Sequence, residues 1–458
     1  MRTHIVEIQI QSRYYPIYIK IGGIDMINLL RFLRLFCILI LMGLTILQPS
    51  PKPVMADVTI AVNTTTDELN NDGDCSLREA VRASITNSVV DACPAGSSSD
   101  TDEIVLPAGV YTLTITGASE NDSQTGDLDL SGKMKLVGAG RDTTIVQGGA
   151  GWDDRIFQVY YQVAGGTDVT FEKMTIQNGQ TPNNENGGGI HVFGTSNPDD
   201  VLINLKEVRL QNNRAIGDDP SNGTGGGLGI TNAPTITILD SLIQNNSARR
   251  GGGVFVAKAE IKRSVFTGNQ ANAGSALYIV QNQPALIENT TISGNGIGSD
   301  YSPQNYVIYS DFGPTVTIRY STIASNNTAS NFGGVYLGTG QIILQGTILS
   351  GNAINSNCAN FSSPITSNGY NLSSDSSCNT YLNQSSDLNG TDALLNPLGF
   401  YGKTLPHHPP KPGSPAVTSP GSSCPAEDQL GTVRPASSCT RGAVQNALAL
   451  LYLPVVTK

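Results

Sequence analysis

A short phrase, apolar-polar-polar-Asn, recurs between Thr175 and Asn352 and constrains this chain more than any other feature. It reads Ile176-Gln177-Asn178-Gly179, Leu210-Gln211-Asn212-Asn213, Ile243-Gln244-Asn245-Asn246, Phe266-Thr267-Gly268-Asn269, Ile292-Ser293-Gly294-Asn295, Ile323-Ala324-Ser325-Asn326 and Leu349-Ser350-Gly351-Asn352. Successive final positions differ by 34, 33, 23, 26, 31 and 26 residues. A period of that length marks a solenoid.

Between the phrases stands a Gly-rich corner followed by an alternating strand: Gly187-Gly188-Gly189-Ile190, Gly225-Gly226-Gly227-Leu228, Gly251-Gly252-Gly253-Val254, Gly274-Ser275-Ala276-Leu277 and Gly333-Gly334-Val335. Units this short, rich in Val, Ile, Thr, Gly and Asn, hold two or three strands of about 4 to 6 residues. Each strand must pair in parallel with its equivalent one turn away. Asn tolerates the left-handed backbone of a tight corner, and its amide can bond the amides above and below. The expected fold is all-β, a parallel β-helix built as a single-stranded solenoid with a short helical N-terminal cap.

Only 14% of the residues are charged, with 50 Gly and one Trp, so core volume must come from stacking many thin coils. Leu29 to Leu47 is the one long apolar run, with Arg31 and Arg34 near its start and Val54-Met55-Ala56 behind it. It reads as a signal peptide over residues 1–56, or over 26–56 with 1–25 untranslated, since Met26 offers an alternative start; a retained membrane anchor is the rival reading. Removing 1–56 takes six Lys/Arg and two Asp/Glu and moves the net charge from −10 to −14. Such a surface disfavours nucleic acid. Beyond Cys37, six cysteines fall into three close pairs, Cys75 and Cys93, Cys358 and Cys378, Cys424 and Cys439. Six allow 15 connectivities; local bridges are the simplest. No cysteine spacing suits zinc.

Cys75-Ser76-Leu77-Arg78-Glu79-Ala80 resembles, letter for letter, the signature of the CSLREA family of secreted bacterial proteins. Ile104 to Tyr111 resembles the strand by which such proteins enter a pectate-lyase-like β-helix. The tail segments Pro412 to Ala416, Cys424-Pro425-Ala426, Asp428 to Gly431, Arg434-Pro435 and Cys439 to Ala443 are similar to the choice-of-anchor Q region. The Gly-Gly-x-apolar repeats are similar to those of polymorphic outer-membrane proteins. The resemblance implies a right-handed helix and a secreted or cell-surface setting, with no shared reaction. The chain divides into a CSLREA-type N-terminal cap at 57–100, parallel β-helix coils at 101–355, a Cys-containing C-terminal region of the β-helix at 356–445 and an apolar tail at 446–458.

Ser76 and Glu79 form a capping box, with Leu77, Ala80, Val81 and Ser84 on one face of a short helix that would cover the exposed end of the solenoid. A second reading is calcium: Glu68, Asn70, Asp72, Asp74 and Glu79 occupy ligand positions of an EF-hand-like loop, although Glu stands at its first position. No other cofactor is expected.

Alignment of the coils on the phrase puts Glu172, Lys206, Leu239, Lys262, Glu288, Arg319 and Gln345 in one column, and Lys173, Glu207, Asp240, Arg263, Asn289, Tyr320 and Gly346 in the next. These columns read either as a mixed-charge ladder or as a catalytic wall with Glu207 and Asp240 as acid and base and Lys262, Arg263 or Arg319 holding a substrate carboxylate. The paired acids Asp153-Asp154, Asp199-Asp200 and Asp218-Asp219 lack recurrent partners. A third column, outward on the strand after each Gly-rich corner, holds His191, Gly229, Phe255, Tyr278, Tyr309 and Tyr336. It reads as a carbohydrate-stacking wall or as an aromatic ladder that stabilises the sheet.

Two functions follow from these columns. One is a non-enzymatic adhesion or carbohydrate-binding scaffold, monomeric, whose partner is an extracellular polysaccharide or cell-surface glycan, with no nucleic acid and no membrane span in the mature chain. The other is a polysaccharide lyase or glycoside hydrolase, which rests on fold analogy.

Overall fold

The computed structural model describes residues 7–10, 17–20 and 58–445, apart from 118–119, 163–165, 182–183, 216, 218–221, 297–305, 327–334, 338–339, 353–356, 359–364, 418–423 and 436–438. The chain divides into Met1–Ala56 and Asp57–Lys458. In the first unit Glu7–Ile10 pairs antiparallel with Ile17–Lys20. The expected signal segment and the apolar tail at 446–458 lie outside the described residues, among which no helix is long and apolar enough to cross a membrane.

The second unit is a parallel β-helix with three sheets of 11, 10 and 8 strands. Each full coil gives one strand to each sheet in turn, as Thr167–Glu172, Thr175–Gln177 and Ile190–Phe193 do. Period-2 alternation sends every second side chain inward, where like residues stack on like. Val169, Ile203, Ile236, Ala259, Ala285, Val316, Ile342 and Ile365 face one another down the first sheet, and all are buried. Burying each larger side chain contributes about 1.5 to 3 kcal/mol. Val58–Ala61, within the expected cap, is already the first rung of the first sheet, and Ile365–Ser367, within the expected C-terminal region of the β-helix, is its last.

The repeat-ending Asn residues form an internal column of amides. Asn213 donates from its backbone N–H and from Nδ2 to Oδ1 of Asn246, each at 3.0 Å. The same pair of bonds links Asn246 to Asn269, Asn269 to Asn295, Asn295 to Asn326, Asn326 to Asn352 and Asn352 to Asn357. The left-handed corner belongs to the residue before, Asn178, Asn212, Asn245, Gly268, Gly294, Ser325 or Gly351. One property expected of one Asn is thus divided between two neighbours.

At the N-terminal end the capping box forms as expected: Glu79 N–H donates to Ser76 Oγ, and Ser76 N–H to Glu79 Oε2 at 2.9 Å. Helix α1 (Leu77–Thr86) buries Leu77, Ala80, Val81, Ala83 and Ser84. Fully buried Arg78 ties it to the first coils, pairing with Asp67 at 2.7 Å and donating to the carbonyls of Ser123 and Gly126. The three local disulfides, Cys75–Cys93, Cys358–Cys378 and Cys424–Cys439, are formed.

After the last coil the chain returns along the outer face of the second sheet. Leu405 packs on Leu242 and Val265; His408 meets Ser293 at 2.8 Å, and the N–H of Ala443 donates to Thr322 Oγ1 at 2.9 Å. Arg434 and Arg441 are buried and donate to backbone carbonyls: Arg434 to Thr440, Gly442 and Ala443, Arg441 to Tyr370, Pro415 and Ser386. They hold the returning segment's backbone in place of regular pairing.

Candidate functional site: a polar cleft on the third sheet

The outward column of the third sheet begins two rungs before the expected one. Its register runs Asp129, Gln158, His191 and Gly229, then Phe255, Tyr278, Tyr309 and Tyr336. Gly229 separates a polar half from an aromatic half. A Cβ there would come 2.5 Å from the Thr224 carbonyl oxygen and 2.7 Å from Gly187 N, so no side chain bridges the two.

In the aromatic half the rings stack on one another. Phe255 and Tyr278 have centroids 5.0 Å apart, and Tyr278 and Tyr309 4.7 Å, nearly parallel. Tyr278 is buried between its neighbours, with the Arg250 guanidinium 5.7 Å from its ring centre. Burial pushes its phenol above the usual range, against the pull of Arg250. The faces that would stack on a sugar are largely used inside the column. Tyr336 continues the column by backbone register. His191 stands apart from this wall.

The polar half lies in a cleft of about 340 Å³ lined by Glu120, Asn121, Asp127, Asp154, Arg155, Gln158, Asn184, Glu185, Asn186, His191, Phe193 and Thr231. The lining comes from the loop before Leu128–Leu130, from the turn before Phe157–Tyr160 and from the segment leading into Ile190–Phe193. Arg155 is the centre: it donates to Gln158 Oε1, pairs with Glu185 and lies 3.5 Å from Asp127. The backbone N–H of Asp127 donates to Asp154 Oδ2 at 3.2 Å. His191 is 4% exposed; its Nε2 contacts Thr231 Oγ1 at 2.9 Å, and its ring lies 4.2 Å from the half-exposed ring of Phe193.

Burial sets the electrostatics here. It raises the Asp127 carboxyl well above the usual range, reinforced by Asp154 and opposed by Arg155. It raises Asp154 as well, less because Arg155 and two backbone amides favour the charged form. Asp129, which accepts from Ser123 N–H at 3.0 Å, is raised to about 7. Desolvation, with Arg155 nearby, holds His191 well below its ordinary value and therefore neutral.

The two charged columns fall elsewhere, at the corner between the first and second sheets. Lys173, Glu207, Asp240, Arg263, Asn289, Tyr320 and Gly346 are its left-handed residues, with φ between 47° and 58°. Asp240 is held by both Nε and Nη2 of Arg263 at 2.8 Å, Lys262 pairs with Glu260, and Arg319 with Glu288. Glu207 and Asp240 do line one cavity of about 300 Å³, beside Arg141, Arg263 and the returning C-terminal segment. Three of the four ionised groups proposed to work with Glu207 are therefore already paired with acids, and Asp240 with a cation. The mixed-charge ladder describes this geometry better than an acid–base pair does.

The loop at the cap brings carboxylate oxygens of Glu68, Asp72 and Asp74 within 4.8 Å of one another, and those of Asp74, Glu79 and Asp91 likewise. Glu68 and Asp74 are raised, by desolvation first and then by neighbouring acids. Hard oxygens of this kind suit calcium. Both Glu79 oxygens, however, hold backbone amides, of Asn70 and Ser76, and the Asn70 amide donates to Glu68 and Asp72. The bidentate role expected of Glu79 is taken by the helix cap, while Asp91, remote in sequence, joins the cluster through the Asp72 and Gly73 amides.

Sequence reasoning missed most of the cleft. Asp127, Asp129, Gln158 and Arg155 were not singled out, Asp154 was set aside as half of a loop pair, and only His191 was named. The available signal was the column itself, continued two rungs towards the N-terminus. Compared with family models, with curated proteins and with solved structures, the chain matches none.

Proposed function

We propose that this chain is a secreted or cell-surface protein that binds an extracellular polysaccharide or cell-surface glycan in the third-sheet cleft, as a non-enzymatic adhesion or carbohydrate-binding scaffold. The observation that carries the reading is the combination of an accessible aromatic ring, Phe193, at the rim of a cleft otherwise lined by carboxylates and amides. A ring face takes the apolar side of a pyranose, and convergent acceptors take its hydroxyls. The CSLREA-like motif and the three disulfides support export.

A glycoside hydrolase is the second reading, favoured by two raised carboxyls side by side, Asp127 as proton donor and Asp154 as base for water. The test is retention of the full chain by a panel of neutral and acidic polysaccharides and free oligosaccharides, together with release of reducing ends. Retention lost in Phe193→Ala without new reducing ends supports the scaffold. Release abolished by Asp154→Asn replaces it with the hydrolase, and failure to bind or cleave any saccharide removes both.

A further inference from the structure

The cleft has too few donors and too little positive charge for what lines it. Two glutamates, Glu120 and Glu185, and the two buried carboxyls of Asp127 and Asp154, whose proton affinity burial has raised, stand against a single cation, Arg155. That guanidinium is already engaged by Gln158, Asp127 and Glu185. One lining side chain at least nine-tenths buried, His191, keeps its Nδ1 without a hydrogen-bond partner, and Asp127 Oδ2 has only the 3.5 Å ion pair to Arg155 Nη1. Behind them Asp129 Oδ1 also has no hydrogen-bond partner. Arg155 Nε is the corresponding donor.

A buried polar atom left unpaired is destabilising, and a ligand that pairs it recovers that cost. A uronate or sulfated sugar adds like charge to the carboxylates and is repelled. A neutral sugar supplies donors but leaves the excess charge. A protonated amine on a pyranose supplies three N–H donors and a positive charge together. The ring hydroxyls of the same unit offer an oxygen to Arg155 Nε, which a simple polyamine lacks, and the ring lies against Phe193.

Resting on the reading of the cleft as a carbohydrate site, we infer that its ligand is an amino sugar with a free amine, as in a de-N-acetylated polysaccharide. The class of reaction that supplies such a ligand is hydrolysis of N-acetyl groups on a polymer.

The test is calorimetric titration of the full chain, in mildly acidic buffer, with a glucosamine tetramer, its fully N-acetylated counterpart, an oligogalacturonate and spermidine. The glucosamine tetramer is expected to bind at least about tenfold more tightly than the others. Glu185→Gln, at the partly exposed rim, lowers its affinity about tenfold with an unchanged urea midpoint. Equal or tighter binding of the N-acetylated or anionic oligomer overturns the amino-sugar assignment and leaves the carbohydrate site standing. Spermidine binding as tightly as the tetramer overturns it in favour of a polyamine site. Binding by no saccharide removes the assignment and the carbohydrate reading together.

Discussion

Oδ1 of Asn246 receives two hydrogen bonds from Asn213, one from the backbone and one from the side-chain amide, both at 3.0 Å. Asn246 passes the same arrangement to Asn269 and gives its other Nδ2 hydrogen to the Leu210 carbonyl at 3.0 Å. Asn246→Ala therefore leaves several buried groups unpaired at once. A loss of about 3 kcal/mol or more is expected, read as a lowered urea midpoint. Asn246→Asp should be no better, because a carboxylate cannot donate to Leu210. An unchanged midpoint in both variants would remove the amide column as a source of stability.

Arg434 is 3% exposed and lies 5.2 Å from the ring centre of Tyr320 while donating to Asn289 Oδ1 at 3.0 Å. Its replacement by Ala should release the returning segment from the second sheet. The expected result is faster protease cleavage within 389–445 while the coils stay resistant. Lys should not restore resistance, since one ammonium cannot reproduce a planar fork bonded to three carbonyls and an amide.

Glu207 occupies a left-handed corner with φ 55°. That backbone costs a non-glycine residue about 1 to 2 kcal/mol, and glycine's greater freedom in the unfolded chain takes back part of the gain. Glu207→Gly should be neutral or stabilising by up to about 1 kcal/mol. Glu207→Val should be destabilising by at least about 1 kcal/mol, because β-branching worsens the strain. Thermal unfolding of the two variants orders them, and the reverse order would sink the corner assignment.

Burial raises Asp129 from 3.8 to about 7, so the folded chain binds its proton more tightly than the unfolded chain does. That contribution is fully present below the unfolded value and disappears as pH rises through the folded one. Between roughly pH 4 and 7 the slope from this group approaches about −1.4 kcal/mol per pH unit. Asp129→Asn should flatten that part of the urea-stability profile. An Asn variant with the wild-type slope would assign the titration to other groups.

The parts of this fold legible in the sequence are those that repeat. Ile176, Leu210 and Ile243 recur, and they are buried at equivalent places in successive coils. Ser76 and Glu79 are legible for another reason, as a capping box is complete within four residues. The cleft repeats nowhere: Asp127, Arg155 and Glu185 come from three consecutive coils, each through an irregular loop with its own length. Periodicity finds a column but says nothing of the loop that covers one end of it, which is why His191 reads as exposed in sequence and is buried in the structure. The charged corner is legible as a mixed-charge ladder, and Asp240 with Arg263 and Glu288 with Arg319 pair in that way. Its charges recur because the position takes left-handed residues beside a ladder of ion pairs.

The returning C-terminal segment also sets an order of events. From Asn213 to Asn352 neighbouring rungs of the Asn column are 23 to 33 residues apart, so coils can assemble one after another as the chain lengthens. Asn289 and Arg434 are 145 residues apart, and the outer face of the second sheet waits for that contact. The apolar strip at Leu242 and Val265 stays bare until the chain has been made as far as Leu405, long after both coils are complete. Premature termination would yield finished coils with an uncovered flank, a species prone to self-association rather than to unfolding.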